Sequence, residues 1–171
     1  MDPRIEKETL ALVPLGPKYE QFFIELANNP AVRERVNKAV PYLKEHYSEL
    51  LNRQQQPNRF VWIIEENSQP VGVITFAPLK SSPQIFQGGY WLNPSAWGKG
   101  LATRALGMAA DYLLLSCGAR RIQALVEPEN IASMRVLEKC GFRNEGLLRN
   151  YYPAKSGKLL DVHMYALTVS G

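Results

Sequence analysis

Trp97-Gly98-Lys99-Gly100-Leu101-Ala102-Thr103 is the stretch of sequence that decides the fold. It follows a β-rich run, Ile85–Leu92, and opens a long apolar run, Lys99–Cys117, that is typical of a buried helix. The two glycines therefore fall at a strand-to-helix junction. The first turn of a helix presents unpaired N–H groups and a partial positive charge, and glycine has no Cβ to keep an oxygen atom away from the backbone. Such a junction can bind phosphate groups, and Lys99 adds a positive charge beside it.

Two well-known phosphate-binding patterns are absent. The dinucleotide pattern GxGxxG would need a glycine where Thr103 stands, and the P-loop pattern GxxxxGK[ST] does not occur. Taken alone, the loop is also open to a plainer interpretation, a glycine-rich helix start that binds nothing.

Hydrophobic periodicity predicts a mixed α/β sheet in a single domain, residues 1–171, with the order β-α-α-β-β-β-α-β-α-β-β. The predicted strands are Glu8–Pro14, Phe60–Glu66, Val71–Ala77, Ile85–Leu92, Arg121–Glu127, Phe142–Tyr152 and Leu160–Thr168. The predicted helices are Lys18–Ala27, Tyr42–Arg53, Lys99–Cys117 and Asn130–Cys140, and Val32–Asn37 is ambiguous. The strands on either side of Lys99–Cys117 must be joined by a parallel crossover. Gly88-Gly89 predicts a bulge or a close backbone approach.

The composition argues against several classes of protein. Hydrophobic residues make up 46% of the chain, as in globular proteins, and no 18-residue apolar stretch could span a membrane. The polar N-terminus lacks the apolar segment of a signal peptide, so we expect a cytoplasmic protein. The net charge is +4, but the basic residues are scattered without an RNA-binding signature, which argues against nucleic acid as a direct partner. Cys117 and Cys140 form no metal motif with His46 or His163, so we expect two small buried hydrophobic residues and no bound metal.

A second informative segment lies about 30 residues beyond the glycines and begins a predicted helix. It reads Glu127-Pro128-Glu129-Asn130-Ile131-Ala132-Ser133-Met134-Arg135-Val136-Leu137-Glu138-Lys139-Cys140-Gly141-Phe142. Together with Tyr90-Trp91-Leu92 and the glycine stretch, it resembles the GNAT superfamily of N-acetyltransferases. Within that superfamily the chain is similar to the RimJ/RimL-like branch, whose named members acetylate the N-termini of ribosomal proteins. Further marks of that branch are Glu145-Gly146-Leu147-Leu148-Arg149 and Asp161-Val162-His163-Met164-Tyr165-Ala166-Leu167.

The resemblance covers most of the chain and implies a GNAT-like acyl-CoA N-acyltransferase fold. In that fold acetyl-CoA lies in a V-shaped opening between the strands Ile85–Leu92 and Arg121–Glu127. Its pantetheine arm would pair with the backbone near Leu92 and Asn93, and an N–H group there would meet the oxyanion. The diphosphate would meet the loop residues Gly98, Lys99, Gly100, Leu101, Ala102 and Thr103.

The resemblance also assigns roles to two side chains near that opening. Many family members carry Gln or Arg at the position of Trp97, whereas tryptophan is frequent in this branch. Because Trp97 has no charge, backbone amides must supply most of the diphosphate binding. Asn130 resembles the family's cofactor-contacting Asn, although a simple N-cap is an equally good interpretation.

No residue is an obvious catalytic base. Glu127 ends the strand that lines the implied opening and is the first candidate, although it could equally be a solvated carboxylate at a strand end. The tyrosine that protonates the leaving thiolate in many family members corresponds to Leu137, so its role is unfilled or has moved. The replacement we favour is Ser133, on the same helix face as Asn130; its counterpart in this branch is thought to act at the thiolate. A hydroxyl that bonds the helix backbone is the alternative.

The sequence therefore predicts an acetyl-CoA-dependent N-acetyltransferase that acts on a primary amine, first of all the α-amine of a protein N-terminus. Two alternatives stay open: an enzyme for a small-molecule amine such as an amino sugar, polyamine or drug, and a non-catalytic CoA-binding regulatory protein. The connections Asn28–Val40 and Pro78–Gln84 would shape the acceptor site, and Tyr151, Tyr152 and Tyr165 could line it or pack in the core. The sequence does not choose between a monomer and a homodimer.

Overall fold

The computed structural model describes residues 3–36, 41–154 and 157–169. The strands are β1 (Ile5–Lys7), β2 (Leu10–Pro14), β3 (Phe60–Glu66), β4 (Gln69–Leu79), β5 (Ser82–Leu92), β6 (Arg121–Val126), β7 (Arg143–Pro153) and β8 (Leu159–Thr168). The helices are α1 (Glu20–Asn28), α2 (Pro30–Val36), α3 (Lys44–Arg53), α4 (Leu101–Ser116) and α5 (Ile131–Lys139), with short 3₁₀ helices at Pro17–Tyr19 and Pro94–Ala96. The end of the predicted Val32–Asn37 segment and of the Asn28–Val40 connection, residues 37–40, lies outside the described residues.

The structure contains two elements beyond the predicted order. Strand β1 has only three residues, two of them charged, and so shows no alternating pattern. It turns into β2 at Glu8, which has a φ of +57°, so the strand predicted from Glu8 begins at Leu10. The predicted end of α1 before Pro30 is confirmed, but Pro30 then begins α2, because the first N–H of a helix needs no intrahelical partner.

All eight strands of the described ranges form one mixed sheet in the order β1-β2-β3-β4-β5-β6-β8-β7. Every neighbouring pair is antiparallel except β5 and β6, which are parallel and joined by the α4 crossover. The mixed α/β fold and the parallel crossover predicted from the sequence are both confirmed.

Helices cover both faces of the sheet, so each face has its own core. Helices α4 and α5 pack on one face, where Ala105, Leu106, Ala109, Leu113 and Leu137 meet Trp62, Ile74, Phe86 and Ile122. Helices α1 to α3 pack on the other, where Phe23, Leu26, Val32 and Tyr47 meet Val61, Ile63 and Val73. Burial of such side chains contributes roughly 1.5–3 kcal/mol each for the larger ones. Within the described ranges, no helix combines the length and apolar character needed to cross a membrane.

Strands β5 and β6 pair over only part of their length. Residues 85–87 of β5 lie opposite residues 121–123 of β6. Beyond that point, β5 runs on to Leu92 beside β4, and β6 runs on to Val126 beside β8. The two strands therefore separate toward their carboxyl ends and leave a gap in the middle of the sheet, in the position of the V-shaped opening that the resemblance implies.

Gly88 lies where β5 parts from β6. A Cβ atom on Gly88 would stand 1.9 Å from the carbonyl oxygen of Thr75, so the close backbone approach predicted for the glycine pair is confirmed there. The predicted alternative, a bulge, is absent, because the β4–β5 register runs unbroken past Gly88 and Gly89. A Cβ on Gly89 would meet no atom within 4 Å.

This difference makes the two glycines a matched pair for a stability measurement. We expect Gly88→Ala to lower the free energy of unfolding by about 3 kcal/mol, because β4 and β5 must move apart to admit the methyl group. Gly89→Ala should change it by less than about 1 kcal/mol. Urea denaturation of both variants measures the difference, and equal losses would contradict the close approach at Gly88.

Candidate active site

The glycine loop forms one end of a cavity of about 430 Å³ that opens beside α4. Gly98 and Gly100 have φ angles of +74° and +73°, a left-handed conformation that residues with a Cβ rarely adopt. Gly100 is the N-cap of α4, and no side chain caps the first turn of that helix. The N–H groups of this turn therefore lack a side-chain partner where they face the cavity.

Six of the seven residues of the glycine stretch line this cavity, and Lys99 is the exception. The six are Trp97, Gly98, Gly100, Leu101, Ala102 and Thr103. Leu101 contributes its backbone, because its side chain is buried in the core beneath α4. Lys99 is exposed and does not line the cavity, so its charge acts from the mouth.

Trp97 holds the loop against the end of β5. Its Nε1 donates a hydrogen bond to the carbonyl oxygen of Leu92 at 3.0 Å, and its ring contacts both cores. The indole N–H therefore has its hydrogen-bond partner within the protein.

Asn93 does not fit the role of a cofactor contact expected for it. Its N–H donates to the carbonyl oxygen of Val71 at 2.8 Å, which continues the β4–β5 ladder by one residue. Its Oδ1 accepts hydrogen bonds from the N–H and the hydroxyl of Ser95, at 3.1 and 2.9 Å. Asn93 does not line the cavity either, so its hydrogen bonds shape the turn into the loop.

The ladder itself identifies which N–H groups of β5 face the gap. In an antiparallel pair, hydrogen bonds to the partner strand involve every second residue, and the residues between them direct their N–H and C=O groups to the opposite side. Because Asn93 bonds to Val71, the N–H groups of Leu92 and Tyr90 are directed away from β4 and toward the gap. Leu92 therefore keeps its predicted place at the opening.

Helix α5 brings two basic side chains to the same cavity that the sequence analysis did not single out. Arg135 and Lys139 both line it, and neither forms an ion pair within the described part of the chain. They are four residues apart, so they lie on one face of the helix. The four-residue spacing in the sequence already indicates that both side chains lie on one face of the helix. In the structure they bring two positive charges to the cavity that the glycine loop lines.

Asn130 and Ser133 lie at the start of α5, and Ser133 meets a partner from β5. The Oδ1 of Asn130 accepts the N–H of Ser133 at 3.2 Å, so Asn130 is an N-cap and also lines the cavity. The hydroxyls of Ser133 and Tyr90 are 3.1 Å apart and hydrogen-bonded. Burial raises the pKa of Tyr90 to about 12, so its hydroxyl keeps its proton at neutral pH and can donate it to Ser133.

Glu127 lines a second cavity, of about 350 Å³, which adjoins the first at the Ser133–Tyr90 pair. Tyr90, Asn130 and Ser133 line both cavities, so the two meet at this pair. Burial, helped by the negative charge of Glu129, raises the pKa of the Glu127 carboxyl above its ordinary value. Leu137, the position at which the resemblance implies a tyrosine in other family members, also lines the second cavity and carries no hydroxyl.

The three tyrosines suggested for the acceptor side have different surroundings. Tyr152 lines the second cavity. Tyr165 is buried in the core and its hydroxyl donates to Glu138 at 3.0 Å, so it belongs to the packing of α5 on the sheet. Tyr151 is exposed. Within the described ranges, no group of three His, Cys, Asp or Glu side chains is placed to hold a metal ion.

The chain matches the family model described as "Acetyltransferase (GNAT) domain" over residues 9–143. It belongs to the GNAT acetyltransferase family. It is 39% identical over 117 residues to the uncharacterized N-acetyltransferase p20 of Bacillus licheniformis, a match that covers 68% of this chain and 65% of the relative. It is 26% identical over 148 residues to the spermidine N(1)-acetyltransferase of Escherichia coli (strain K12), covering 84% and 78%. RimL, a ribosomal L7/L12 α-N-protein acetyltransferase solved in complex with coenzyme A, superimposes with a TM-score of 0.83 at 19% identity, covering 98% of both chains.

The match to the family model confirms the acetyltransferase family that the sequence predicts, and the superposition on RimL confirms the fold. The resemblance to the RimJ/RimL-like branch is confirmed at the level of the fold. The matched part of this chain spans about two thirds of the length of p20.

The residues around the first cavity fit a CoA-type cofactor. Gly98 and Gly100 have open space where a Cβ would stand, which leaves room for phosphate oxygens against the backbone. Arg135 and Lys139 add positive charge on the opposite wall, as a cofactor that carries several phosphate charges requires.

Gly100 and Gly118 give a matched test of this cradle. Both have left-handed φ angles, +73° and +67°, both have open space at the Cβ position, and they flank the two ends of α4. We expect Gly100→Ala to weaken CoA binding at least tenfold, since it obstructs the cradle, whereas Gly118→Ala should cost similar stability, about 1 kcal/mol, and leave binding intact.

Isothermal titration with CoA, paired with thermal unfolding, measures both effects. Lys99→Ala should weaken binding less than Gly100→Ala. Equal losses of affinity for Gly100→Ala and Lys99→Ala would show that side-chain charge, and not the backbone, holds the diphosphate.

Proposed function

We propose that the protein transfers the acetyl group of acetyl-CoA to a primary amine, the α-amine at the N-terminus of a protein or peptide. The observation that carries the proposal is the meeting of two cavities at the hydrogen-bonded Ser133–Tyr90 pair, in the gap between β5 and β6. One cavity ends at the glycine loop and the other contains Glu127, so donor and acceptor can approach the same point from the two cavities.

In this proposal backbone N–H groups and basic side chains of the protein bind the phosphates and the pantetheine arm of the acetyl donor. Residues 98 and 100–103 offer backbone N–H groups to the diphosphate, with Arg135, Lys139 and the nearby Lys99 as charge partners. The N–H of Leu92, directed into the gap, pairs with the pantetheine arm and meets the oxyanion. The cofactor supplies an activated acetyl thioester.

Ser133 and Tyr90 would deliver the proton that the leaving sulfur needs. Ser133 lines both cavities, and its hydroxyl is 3.1 Å from that of Tyr90, a contact in which either hydroxyl can donate. In this proposal Tyr90 donates to Ser133, and Ser133 directs its own proton at the sulfur. In this arrangement Tyr90 of β5 supplies a phenolic hydroxyl, which α5 does not carry at Leu137. Tyr90 acts through Ser133: the Ser133 proton passes to the sulfur, the Tyr90 proton passes to Ser133, and the proton that Glu127 takes from the amine returns to Tyr90 through solvent after CoA leaves. Tyr90 is therefore a positioning residue that relays a proton.

Glu127 is the proposed base, and an α-amine makes its task modest. A lysine amine with a pKa of about 10.4 is harder to deprotonate than an α-amine near 7.8, and the difference of about 2.6 units corresponds to about 3.5 kcal/mol. Glu127 is half-buried in the acceptor cavity, and its raised pKa makes it a stronger base than an exposed carboxylate. An α-amine substrate thus suits the single carboxylate among the residues that line this cavity.

A small-molecule amine is the second candidate acceptor. The similarity to a spermidine N(1)-acetyltransferase supports it. A panel of amines in a thiol-release assay separates the two: turnover of peptides with free α-amines supports the first proposal, turnover of polyamines or amino sugars the second. CoA binding without turnover of any amine would identify a non-catalytic protein.

The Ser133–Tyr90 pair is tested by a double-mutant cycle. We expect Ser133→Ala to lower kcat about 100-fold and Tyr90→Phe about tenfold, because both remove the proton supply and leave CoA affinity within about threefold. The double variant should be no slower than Ser133→Ala alone, because Tyr90 acts through Ser133.

Tyr151→Phe, on an exposed tyrosine, is the control and should retain full activity. Additive losses in the double variant would show that the two hydroxyls act independently.

The pH dependence tests Glu127. Because its pKa is raised, the basic form exists only above that pKa, so kcat/KM should fall with decreasing pH through it, in addition to the fall caused by protonation of the amine. Glu127→Gln should remove the limb of the pH profile that protonation of Glu127 causes and keep the limb that protonation of the amine causes. Glu129→Gln removes a charge that raises the pKa of Glu127, so it should shift that limb to lower pH without abolishing it. A profile unchanged by Glu127→Gln would exclude Glu127 as the base.

A further inference from the structure

A third cavity, of about 260 Å³, adjoins the acceptor side of the gap. Its lining comes from β3, β4 and β5 and from α1 and α3, so it lies on the face of the sheet opposite α4. It shares the lining residues Thr75, Phe76, Gln87 and Trp91 with the cavity of Glu127, so the two cavities are neighbours. We call it the arginine cavity, after Arg53 and Arg59 in its wall.

The charges that line the arginine cavity are all positive. Arg53 and Arg59 line it, and no Asp or Glu does. Arg59 stands directly before β3, is half-buried, and forms no ion pair with any residue that the structure describes. Arg53 has one acidic neighbour, Glu49, at 3.9 Å, and that pair is exposed on α3, where it is worth little. The cavity therefore offers two guanidinium groups whose charge is not neutralised from within.

Two side-chain amides complete the wall with unused hydrogen-bonding groups. The Nε2 of Gln54 donates to the carbonyl oxygen of Leu15 at 2.8 Å, and its Oε1 is buried without a partner among the described residues. Such an oxygen needs an N–H or O–H donor. The Oε1 of Gln87 accepts a bond from Gln123 at 2.8 Å, which leaves the Nε2 of Gln87 free to donate. The wall thus combines two cationic side chains with the neutral amide donor of Gln87, while the Gln54 oxygen is buried beneath the surface of the cavity.

We propose that the arginine cavity binds an acidic side chain of the acceptor, so that the preferred acceptor is an N-terminal segment with Asp or Glu close to its α-amine. This inference rests on the proposed function, because it takes the amine to lie beside Glu127. Guanidinium groups bind carboxylates by paired, charge-assisted hydrogen bonds. The Nε2 of Gln87, on the same wall, adds a neutral donor for the carboxylate.

The same wall disfavours a polyamine. A polycation that placed its reacting amine beside Glu127 would bring its other ammonium groups toward Arg53 and Arg59, where like charges repel. A binding site for a polycation needs carboxylates in these positions, and the arginine cavity has none. The charge of the arginine cavity therefore favours an acidic acceptor over a polyamine.

The test compares three peptides with the same N-terminal residue in a thiol-release assay. One carries two acidic residues after it, the second their amides, and the third two lysines, with spermidine as a further acceptor. We expect kcat/KM to fall at least tenfold from the acidic to the amide peptide, mainly through KM, and further for the lysine peptide and spermidine. In the Arg59→Gln variant, kcat/KM for the acidic peptide should fall close to that for the amide peptide. In the Arg59→Glu variant, kcat/KM should be higher for the lysine peptide than for the acidic peptide. Lys7→Gln makes the same change of charge on the exposed strand β1 and should leave kcat/KM for all the peptides unchanged.

The outcomes distinguish this inference from the function on which it rests. Equal turnover of the three peptides, unaffected by the arginine variants, overturns the acidic preference and leaves the acetyltransferase proposal intact. Absence of thiol release with every amine overturns the proposed function. In that case, calorimetric titration of the CoA-loaded protein with the acidic and amide peptides still tests the cavity: tighter binding of the acidic peptide that Arg59→Gln removes supports it, and equal binding refutes it.

Discussion

The separation of β5 from β6 is the constraint on which the rest of the structure depends. Past residues 87 and 123, the two strands no longer bond to one another, and each keeps a partner only on its far side. Backbone groups in a protein interior must find partners, so a gap of this kind persists only where something polar fills it. The N–H groups of Tyr90 and Leu92 face that gap, the glycine loop closes its end, and α5 lies beside it with Ser133.

Each neighbouring feature helps to keep the gap open and in shape. Gly88 allows β5 to follow β4 closely where it leaves β6. Trp97 fastens the loop to the last carbonyl group of β5, and the cap at Asn130 sets the first turn of α5, which brings the Ser133 hydroxyl to Tyr90. Trp91, on the opposite face of β5, lines all three cavities.

The features that the sequence predicted correctly are those fixed by local backbone demands. A glycine pair at the start of an apolar helix, and an Asn that caps a helix, depend on a few neighbouring residues. The place of Asn93 could not be read in the same way, because the direction of its N–H follows from the register of β4, more than 20 residues earlier in the chain. The Ser133–Tyr90 bond joins residues 43 apart, and the arginine cavity unites α3 with three strands, so both needed the tertiary structure. Arg135 and Lys139 were within reach of sequence reasoning, since their spacing places them on one helix face.

The central claim is that backbone N–H groups along the gap and the glycine loop hold the cofactor. The most direct measurement is residue-resolved amide hydrogen exchange, followed by NMR with and without CoA. We predict that the amides of Leu92, Gly100 and Ala102 exchange more slowly once CoA binds, while the amide of Asn93, already bonded to Val71, is protected in both states. CoA binding that leaves the exchange of Leu92 and the loop amides unchanged would contradict the account.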